Sequence, residues 1–427
     1  MNIRKLIGNH EVKNASWLIG GRIAQMVLSL FVGILTARYL GPGNYGLISY
    51  GTAFVTFFAA LCGLGLNSVI IKDFVDHPDE QGEAIGSALL MRFLSSVLSA
   101  VMIVGIVAVI DHDEPLTIAV VALCSLGAVF HVVDVFNFWF QNRYRSKVTA
   151  IATLIAYAVV SVYRIVLLIL RADVRWFAVA TSLDYIAIAV CLLIAYRKYK
   201  GPRLRCSGRK CKALLSVSYH YILSAMMVSI YGQTDKLMLK QMLDETEVGF
   251  YSIATHVCAL WTFVLQAIID SIYPSILRLK QEDQEKYEKK NRQLYAIVFY
   301  VSCAVSVLFM VFGDLGIRIL YGSDYMPASN VLKVVTWYTA FSYLGVARNA
   351  WIVSEGNQKY LKYMYGGAAV LNVILNAVFI PLMGAVGAAL ASLITQVFTS
   401  IVLPMFFKDM RPNAKLMLEA VLLRKLK

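Results

Sequence analysis

The sequence has little charge, and most of the charge it carries is of one sign. Charged residues make up 15% of the 427 residues and hydrophobic residues 59%, with 40 basic against 26 acidic side chains. A soluble globular protein is closer to one quarter charged and one half apolar. The composition therefore excludes an ordinary soluble domain and indicates an integral membrane protein. Because Lys and Arg collect in cytoplasmic loops, the basic excess does not indicate a nucleic-acid partner.

Several signals of other protein classes are also missing. The sequence contains no GxxxxGK[ST] motif, which excludes an ATPase that works alone. Its apolar runs are about 20 residues long rather than short and alternating, which excludes an outer-membrane barrel. Cys206 and Cys211 have no second cysteine pair nearby, so we expect no metal site and no bound cofactor.

The apolar runs predict an all-α integral membrane protein with about 12 transmembrane helices. The N-terminus is basic and then apolar without a small-residue cleavage site, so we expect an uncleaved first helix. Because most basic residues then fall in alternate loops, the positive-inside rule places both termini in the cytoplasm. The predicted spans are 15–38, 45–70, 85–110, 116–140, 148–170, 176–196, 214–240, 248–273, 294–320, 329–353, 361–381 and 384–407.

The two halves of the chain share weak similarity in the same order. Aligning RYLGPGNYGLISYGTAF with QMLDETEVGFYSIATHV pairs Gly46 with Gly249, and WFAVATSL falls on GAALASLI at nearly the same separation. Chance similarity between small-residue membrane segments is the alternative. We favour a six-span unit duplicated in parallel orientation, as in many transporters.

The duplication predicts that the chain is divided into two lobes. Two stretches rich in Lys and Arg form a linker between the lobes and a C-terminal tail. The basic composition and apolar spacing of residues 415–427 further predict a helix on the inner membrane surface. The predicted divisions are an N-terminal lobe at 1–200, a basic cytoplasmic linker at 201–213, a C-terminal lobe at 214–410 and a basic amphipathic cytoplasmic tail at 411–427.

Four stretches resemble the polysaccharide flippases of the multidrug/oligosaccharidyl-lipid/polysaccharide exporter superfamily. They are YLGPGNYG, YGQTDKLMLKQMLDETEVGFYSIA, LYGSDYMPASNVL and IPLMGAVGAALASLITQ. The resemblance implies two six-helix lobes around a central cavity and transport by alternating access. It implies that an undecaprenyl-pyrophosphate-linked oligosaccharide moves from the cytoplasmic to the outer leaflet of a bacterial inner membrane. Membrane lipids and other polysaccharide-assembly proteins would be the partners.

Two other functions are weighed against this one. A cation-coupled drug antiporter of the same superfamily would share the fold but needs acidic sites, whereas the spans here carry several cations. A membrane polysaccharide polymerase or glycosyltransferase resembles this composition, but that class carries a long outer loop that the sequence lacks. We therefore expect a transporter and not an enzyme.

Ionisable residues inside the spans are the candidate site. A charge in the bilayer is costly, so it marks a cavity or an intramembrane partner. Arginine binds phosphate bidentately, and we expect Arg22 and Arg348 to receive the pyrophosphate from opposite lobes. Structural pairing is the alternative for each cation. The candidates for binding pyrophosphate or glycan are Arg22, Arg348, Arg92, Arg164, Lys236, Gln25 and Gln266.

Three acids in the spans are candidates for coupling transport to an H⁺ or Na⁺ gradient. They are Asp134, Asp235 and Asp270. Asp134 lies one turn after His131, and for that pair we favour a structural hydrogen bond over ion or proton coupling. Asn372 and Asn376 lie one helical turn apart, and we expect them to hydrogen-bond between helices.

Overall fold

The structure is a computed structural model that describes residues 10–424, apart from the side chains of residues 10–16, 18, 19, 22, 68, 220, 223 and 224. Within this range the regular structure is helical. The α-helices are α1 His10–Gly63, α2 Leu66–Asp76, α3 Gln81–Ile110, α4 Pro115–Phe130, α5 Asp134–Asn142, α6 Ser146–Ile169, α7 Val174–Lys198, α8 Gly208–Met242, α9 Glu245–Glu282, α10 Gln284–Leu320, α11 Met326–Ser354, α12 Leu361–Val397, α13 Leu403–Met405 and α14 Arg411–Val421.

Short helical segments of other types join several of these helices. A π-helix at Phe398–Val402 continues α12 into α13. Five 3₁₀ turns lie at Pro78–Glu80, His131–Val133, Ser323–Tyr325, Gln358–Tyr360 and Lys408–Met410.

Two long helices are broken by glycines at the predicted span boundaries. Gly41 has φ 71° inside α1, and Gly384 has φ 60° inside α12. Side chains with a Cβ rarely adopt positive φ, so glycine permits the break at each position. Pro42 follows the first break and lacks the N–H that would continue the helical hydrogen bonds. The YLGPGNYG turn is therefore a kink between two helical segments.

The chain is a multi-pass membrane protein built from helices. Eight segments within residues 10–424 are long and apolar enough to cross a membrane. α8 and α11 fall outside this group, and both carry charged residues within their predicted spans. The count of twelve spans stays a prediction. The apolar segments are Ile23–Gly63, Pro78–Ile110, Pro115–Asn142, Ser146–Ile169, Val174–Lys198, Glu245–Glu282, Gln284–Leu320 and Gln358–Met405.

The chain groups by its contacts into two compact units. The first contains residues up to Leu40 and Leu47–Ser229, and the second contains Gly41–Gly46 and Ile230–Lys427. Residues 201–229 thus belong to the first unit, and the turn at 41–46 belongs to the second. The predicted lobe boundaries at 200 and 214 stay predictions.

Each unit has its own apolar core. In the first unit, aromatic residues of α2 and α5 pack with α3, α7 and the start of α8, and Trp139 is fully buried. In the second unit, α9, α10, α11 and α14 enclose a core that contains Tyr287, Tyr295 and Trp351. These cores fix the helices from which the polar side chains described below project.

The basic linker packs against the first unit. Lys210 is buried, and its Nζ lies 2.9 Å from a carboxylate oxygen of both Asp73 and Glu80. The Arg205 backbone N–H donates to the Gly82 carbonyl at 3.1 Å. These contacts tie the linker and the first turn of α8 to the end of α2 and the start of α3.

The expectation that residues 415–427 lie on the membrane surface is wrong for the described part of that segment. α14 buries Leu416, Met417 and Ala420 in the core of the second unit. Asn413 donates to the Tyr295 hydroxyl at 2.7 Å. The apolar spacing that suggested membrane contact instead matches a protein surface formed by α10 and α11.

Candidate functional site

Asp235, on α8, is the centre of a buried polar cluster in the second unit. Its carboxylate accepts hydrogen bonds from the Tyr251 hydroxyl, from Asn376 Nδ2 at 2.7 Å and from Ser392 Oγ at 2.6 Å. Asp235 is only 6% exposed. Three donors from three segments stabilise a charge that would otherwise be costly to bury. The structure therefore gives this candidate a closed shell of partners.

Two asparagines one turn apart on α12 extend the cluster, and the bond from Asn376 to Asp235 on α8 confirms the predicted hydrogen bond between helices. Asn376 Nδ2 donates to Asn372 Oδ1 at 3.1 Å, and Asn372 Nδ2 donates to Ser392 Oγ at 3.2 Å. Both asparagines are fully buried. Asn376 Oδ1 is buried without a hydrogen-bond partner among the described residues. The cluster thus offers carboxylate, amide and hydroxyl oxygens at one place, with one acceptor unused.

Lys236 follows Asp235 in sequence but does not share its partners. Successive residues on a helix diverge by about 100°. Lys236 is half-buried, and no carboxylate of a described residue forms an ion pair with it.

Arg348, on α11, binds the π-helix. Its Nη1 donates to the carbonyls of Thr399 and Ser400 at 3.1 and 3.4 Å, and the residue is 6% exposed. A π-helix shifts the usual backbone hydrogen bonds, so its carbonyls need other donors. Arg348 Nε is buried without a described partner. The geometry gives Arg348 a structural task within the second unit.

Arg92, on α3, is also engaged by its own unit. Its Nε donates to the Gly63 carbonyl at 3.1 Å and its Nη2 to Asn67 Oδ1 at 2.6 Å. The guanidinium lies 5.6 Å from the centre of the Phe138 ring. The side chain is 3% exposed, so it does not reach outward to lipid phosphate. It satisfies a carbonyl at the end of α1, as helix ends require.

Arg164 and Asp184 form an ion pair between α6 and α7. Arg164 Nη2 lies 2.5 Å from Asp184 Oδ2, and both side chains are largely buried. Arg164 therefore has a structural partner in Asp184, which was the alternative to a role in substrate binding.

A small polar cavity in the first unit contains Gln25. It has a volume of about 270 Å³ and lies between α1, α5 and α6. None of the described residues that line it carries a charge. The cavity combines three amides, three hydroxyls and one aromatic ring, from Gln25, Asn137, Gln141, Ser146, Thr149, Thr153 and Phe138.

Asp134 lies beside this cavity and is held in place by hydrogen bonds. His131 Nδ1 is 3.1 Å from Asp134 Oδ2, and Asn137 Nδ2 donates to Asp134 Oδ1 at 3.2 Å. Asn137 also lines the cavity. The expected His131–Asp134 hydrogen bond is therefore present, and it orients a cavity amide.

Of the remaining candidates, Gln266 and Asp270 are exposed, and Arg22 has no described side chain. Gln266 donates to Asp270 Oδ1 at 2.9 Å on an exposed face of α9. The side chain of Arg22 lies outside the described residues, so the predicted Arg22–Arg348 arrangement stays a prediction.

Sequence reasoning missed several residues that complete these sites. Tyr251 and Ser392 bind Asp235, Asn67 binds Arg92, and Asn137 and Gln141 line the polar cavity. Of these residues, only Asn137 and Gln141 could have been found from the spacing of polar residues in the sequence. They lie on α5, four residues apart and therefore on one helical face.

A known protein family matches most of the chain. A family model described as "Polysaccharide biosynthesis protein" matches residues 35–330, well over half of the chain. The chain belongs to this polysaccharide biosynthesis protein family. The matched range includes every residue of the Arg92 and Arg164 sites, the Asp134 cluster and Asp235.

Similar proteins agree with membership of the polysaccharide biosynthesis protein family. The chain is 19% identical to "Capsular polysaccharide biosynthesis protein CapF" of Staphylococcus aureus, over 93% of this chain and 99% of that protein. It is 21% identical to "Probable low-salt glycan biosynthesis flippase Agl15" of Haloferax volcanii, over 85% and 76%. The solved structure "Lipid II flippase MurJ, inward closed conformation" matches with a TM-score of 0.70 at 16% identity, covering 95% of this chain and 91% of that one.

Proposed function

We propose that this protein is a flippase for a lipid-linked oligosaccharide in cell-surface polysaccharide biosynthesis. It moves the substrate from the cytoplasmic to the outer leaflet by alternating access and catalyses no covalent step. The family, the names of its relatives and the fold shared with a lipid II flippase support this function. A bacterial inner membrane with both termini in the cytoplasm is the proposed setting.

The uncharged polar cavity in the first unit is the observation that carries the proposal. Among its lining groups, Asn137 Oδ1 is buried without a hydrogen-bond partner in the described part of the chain, whereas the Thr149 and Thr153 hydroxyls donate to backbone carbonyls and Gln141 is exposed. A buried amide oxygen without a partner is expected to meet water or a polar ligand. Sugar hydroxyl and acetamido groups both donate and accept hydrogen bonds, and amide side chains match them in both roles. Phe138 adds an apolar face on which a sugar ring can lie. A drug cation would instead favour an acidic lining.

The pyrophosphate of an undecaprenyl carrier needs cations that are not committed elsewhere. Arg92, Arg164 and Arg348 are each bound within their own unit. Lys236 forms no ion pair with a described residue, and Arg22 keeps its predicted role because it is one helical turn from Gln25. Within the second unit we therefore assign the pyrophosphate to Lys236, and the role of Arg22 stays a prediction from the sequence.

Deletion of the gene tests the function, and cavity variants test the site. We expect the deletion strain to accumulate a lipid-linked oligosaccharide on the inner leaflet and to lose surface polysaccharide. Asn137→Ala and Gln141→Ala should restore less export than wild type at equal protein levels. Gln358→Ala, at an exposed position outside the cavity, is the matched control. A deletion strain that accumulates no such lipid would refute the flippase proposal.

A second proposal concerns the coupling ion. We infer that Asp235, with the Asn372 and Asn376 amides and Ser392, holds the cation whose gradient drives transport. The cluster offers carboxylate, hydroxyl and amide oxygens, which suit a hard cation such as Na⁺, and Asn376 Oδ1 is a buried acceptor without a partner among the described residues. Asp134 and Asp270 are more exposed, and their hydrogen bonds are to residues three or four positions away in sequence. An amide flip at Asn372 or Asn376 would change which oxygens point inward.

Asp235→Asn tests this coupling, because it removes the charge and keeps the shape. We expect wild-type protein in proteoliposomes to transport faster with an imposed Na⁺ or H⁺ gradient, and D235N to lose that acceleration. Asp76→Asn, at an exposed position on α2, should behave as wild type. Equal acceleration in D235N and wild type would remove Asp235 from the coupling mechanism.

A further inference from the structure

Two cysteines at the junction of the basic linker and α8 belong to none of the sites described above. Cys206 precedes the helix, and Cys211 lies on it. Cys206 is exposed and Cys211 is half-buried, whereas the other five cysteines are buried or half-buried within longer helical segments. Cys206 is therefore the thiol that a soluble reagent reaches most easily.

The start of α8 brings these two side chains to the same place. The Cys211 N–H donates to the Ser207 carbonyl at 2.9 Å, so Ser207 is the residue that caps the helix. Cys206 is then the residue before the cap, and Cys211 is the fourth residue of the helix. Side chains at these two positions often pack on each other and fix the angle at which the chain enters the helix.

The two thiols interact with each other, as this geometry requires. Burial raises the pKa of the Cys211 thiol, which precedes the predicted span, and the nearby Cys206 thiol adds to the increase. The Cys211 thiol also donates a weak hydrogen bond to the Ser87 carbonyl at 3.9 Å. Cys211 is therefore held as a protonated thiol, and Cys206 is the cysteine that reacts first.

The backbone between the two cysteines is fixed to the first unit. The Ser207 N–H donates to Ser87 Oγ at 3.2 Å, and the buried Lys210 is held by its two carboxylate partners. The folded chain therefore keeps the two thiols side by side. Groups held in this way react with each other in preference to groups that must first meet by diffusion.

We propose that Cys206 and Cys211 are a redox modification site, at which a disulfide bond forms reversibly. The oxidant is a low-molecular-weight disulfide such as oxidised glutathione. The Cys206 thiolate attacks one sulfur of this disulfide, which releases one glutathione thiol and leaves a mixed disulfide on Cys206. Cys211 then loses its proton and displaces the second glutathione thiol.

This exchange oxidises two cysteine thiols and reduces one glutathione disulfide to two thiols, which take up the two cysteine protons. In the predicted cytoplasmic setting both cysteines are reduced at rest, and the bond forms when the glutathione pool becomes oxidised. The site does not depend on what the protein transports.

The test equilibrates the purified full chain in detergent with buffers of increasing oxidised-to-reduced glutathione ratio. Free thiols are then blocked with N-ethylmaleimide in SDS, and the chain is digested with trypsin. Cleavage after the Arg and Lys residues of RCSGRKCK places the two cysteines on separate peptides, CSGR and CK. A disulfide therefore appears as these two peptides joined, with no maleimide on either. The variants are Cys206→Ser and Cys211→Ser, and Cys303→Ser, at a half-buried cysteine on α10, is the matched control.

We expect joined peptides in wild type and in C303S, in a proportion that rises with oxidised glutathione and returns to zero with dithiothreitol. C211S should carry glutathione on Cys206, and C206S should yield neither joined peptides nor rapid modification of Cys211. The disulfide should withstand roughly tenfold more reduced glutathione in the folded chain than in SDS, because folding orients the two thiols.

Three results would overturn the proposal. The first is the absence of joined peptides at every glutathione ratio. The second is wild-type protein that carries glutathione on both cysteines instead of a bond between them. The third is a disulfide that is no more stable in the folded chain than in SDS, since the fold would then contribute nothing to its formation.

Discussion

Gly46 and Gly249 occupy equivalent places in one backbone contact. A methyl group added at Gly46 would overlap the carbonyl oxygen of Glu245, and one added at Gly249 would overlap that of Pro42. The sequence separation that aligns Gly46 with Gly249 also aligns Pro42 with Glu245. The contact therefore maps onto itself when equivalent residues are exchanged, as a twofold contact does. This symmetry supports the duplication inferred from the sequence.

The first prediction is that Gly46→Ala and Gly249→Ala destabilise the fold to a similar extent. Each added methyl meets rigid backbone rather than a side chain that can move, and overpacking of this kind costs about 1–3 kcal/mol. Because both changes strain the same contact, the double variant should not be additive. Chemical or thermal unfolding in detergent measures the three free energies.

Gly105→Ala is the matched control for this pair. No atom outside its own helix lies near a methyl group added at Gly105, which lies within α3, five residues before its last residue. Alanine should then stabilise the helix by up to about 1 kcal/mol. Additive effects of G46A and G249A, or effects no larger than that of G105A, would contradict the shared contact.

The second prediction concerns the Arg164–Asp184 pair. Removing one member leaves a largely buried charge, so Arg164→Gln or Asp184→Asn alone should cost about 3–5 kcal/mol. The double variant R164Q/D184N should be more stable than either single variant. A double-mutant cycle on unfolding free energies checks this. If the double variant loses the sum of the two single losses, the pair is not coupled.

The third prediction separates Arg348 from Arg22. Arg348 binds the π-helix carbonyls, so Arg348→Gln should lower the amount of folded protein while transport per folded molecule stays near wild type. Arg22→Gln should leave the protein level unchanged and reduce transport per molecule. Export normalised to protein in the membrane measures both effects. If R348Q is present at normal protein levels but loses transport per molecule, Arg348 binds substrate and its role is not only structural.

The sequence predicted those parts of the fold that follow from composition and spacing. Twenty-residue apolar runs predict helices directly, and the breaks at Gly41 and Gly384 fall where glycine and proline interrupt them. The one-turn spacing of Asn372 and Asn376 predicted a hydrogen bond to another helix, and Asn376 donates one to Asp235 on α8. These features depend on residues that are close in sequence.

Other parts of the site depend on partners that are distant in sequence. Asp235 meets Ser392 across 157 positions, and Arg92 meets Asn67 across 25. Periodicity identifies the face of a helix but not the helix that packs against it. For the same reason the apolar face of α14 could be recognised from spacing, whereas its burial against α10 could not.

The central claim is that the protein moves a lipid-linked oligosaccharide between leaflets, and proteoliposomes test it most directly. A lipid-linked oligosaccharide is placed in both leaflets, and an impermeant glycosidase is added outside. If the protein is a flippase, cleavage should proceed beyond the outer-leaflet fraction, and substitution of Arg22 by Gln should slow this second phase. Cleavage that stops at the outer-leaflet fraction, with correctly folded protein and an imposed ion gradient, would contradict the account.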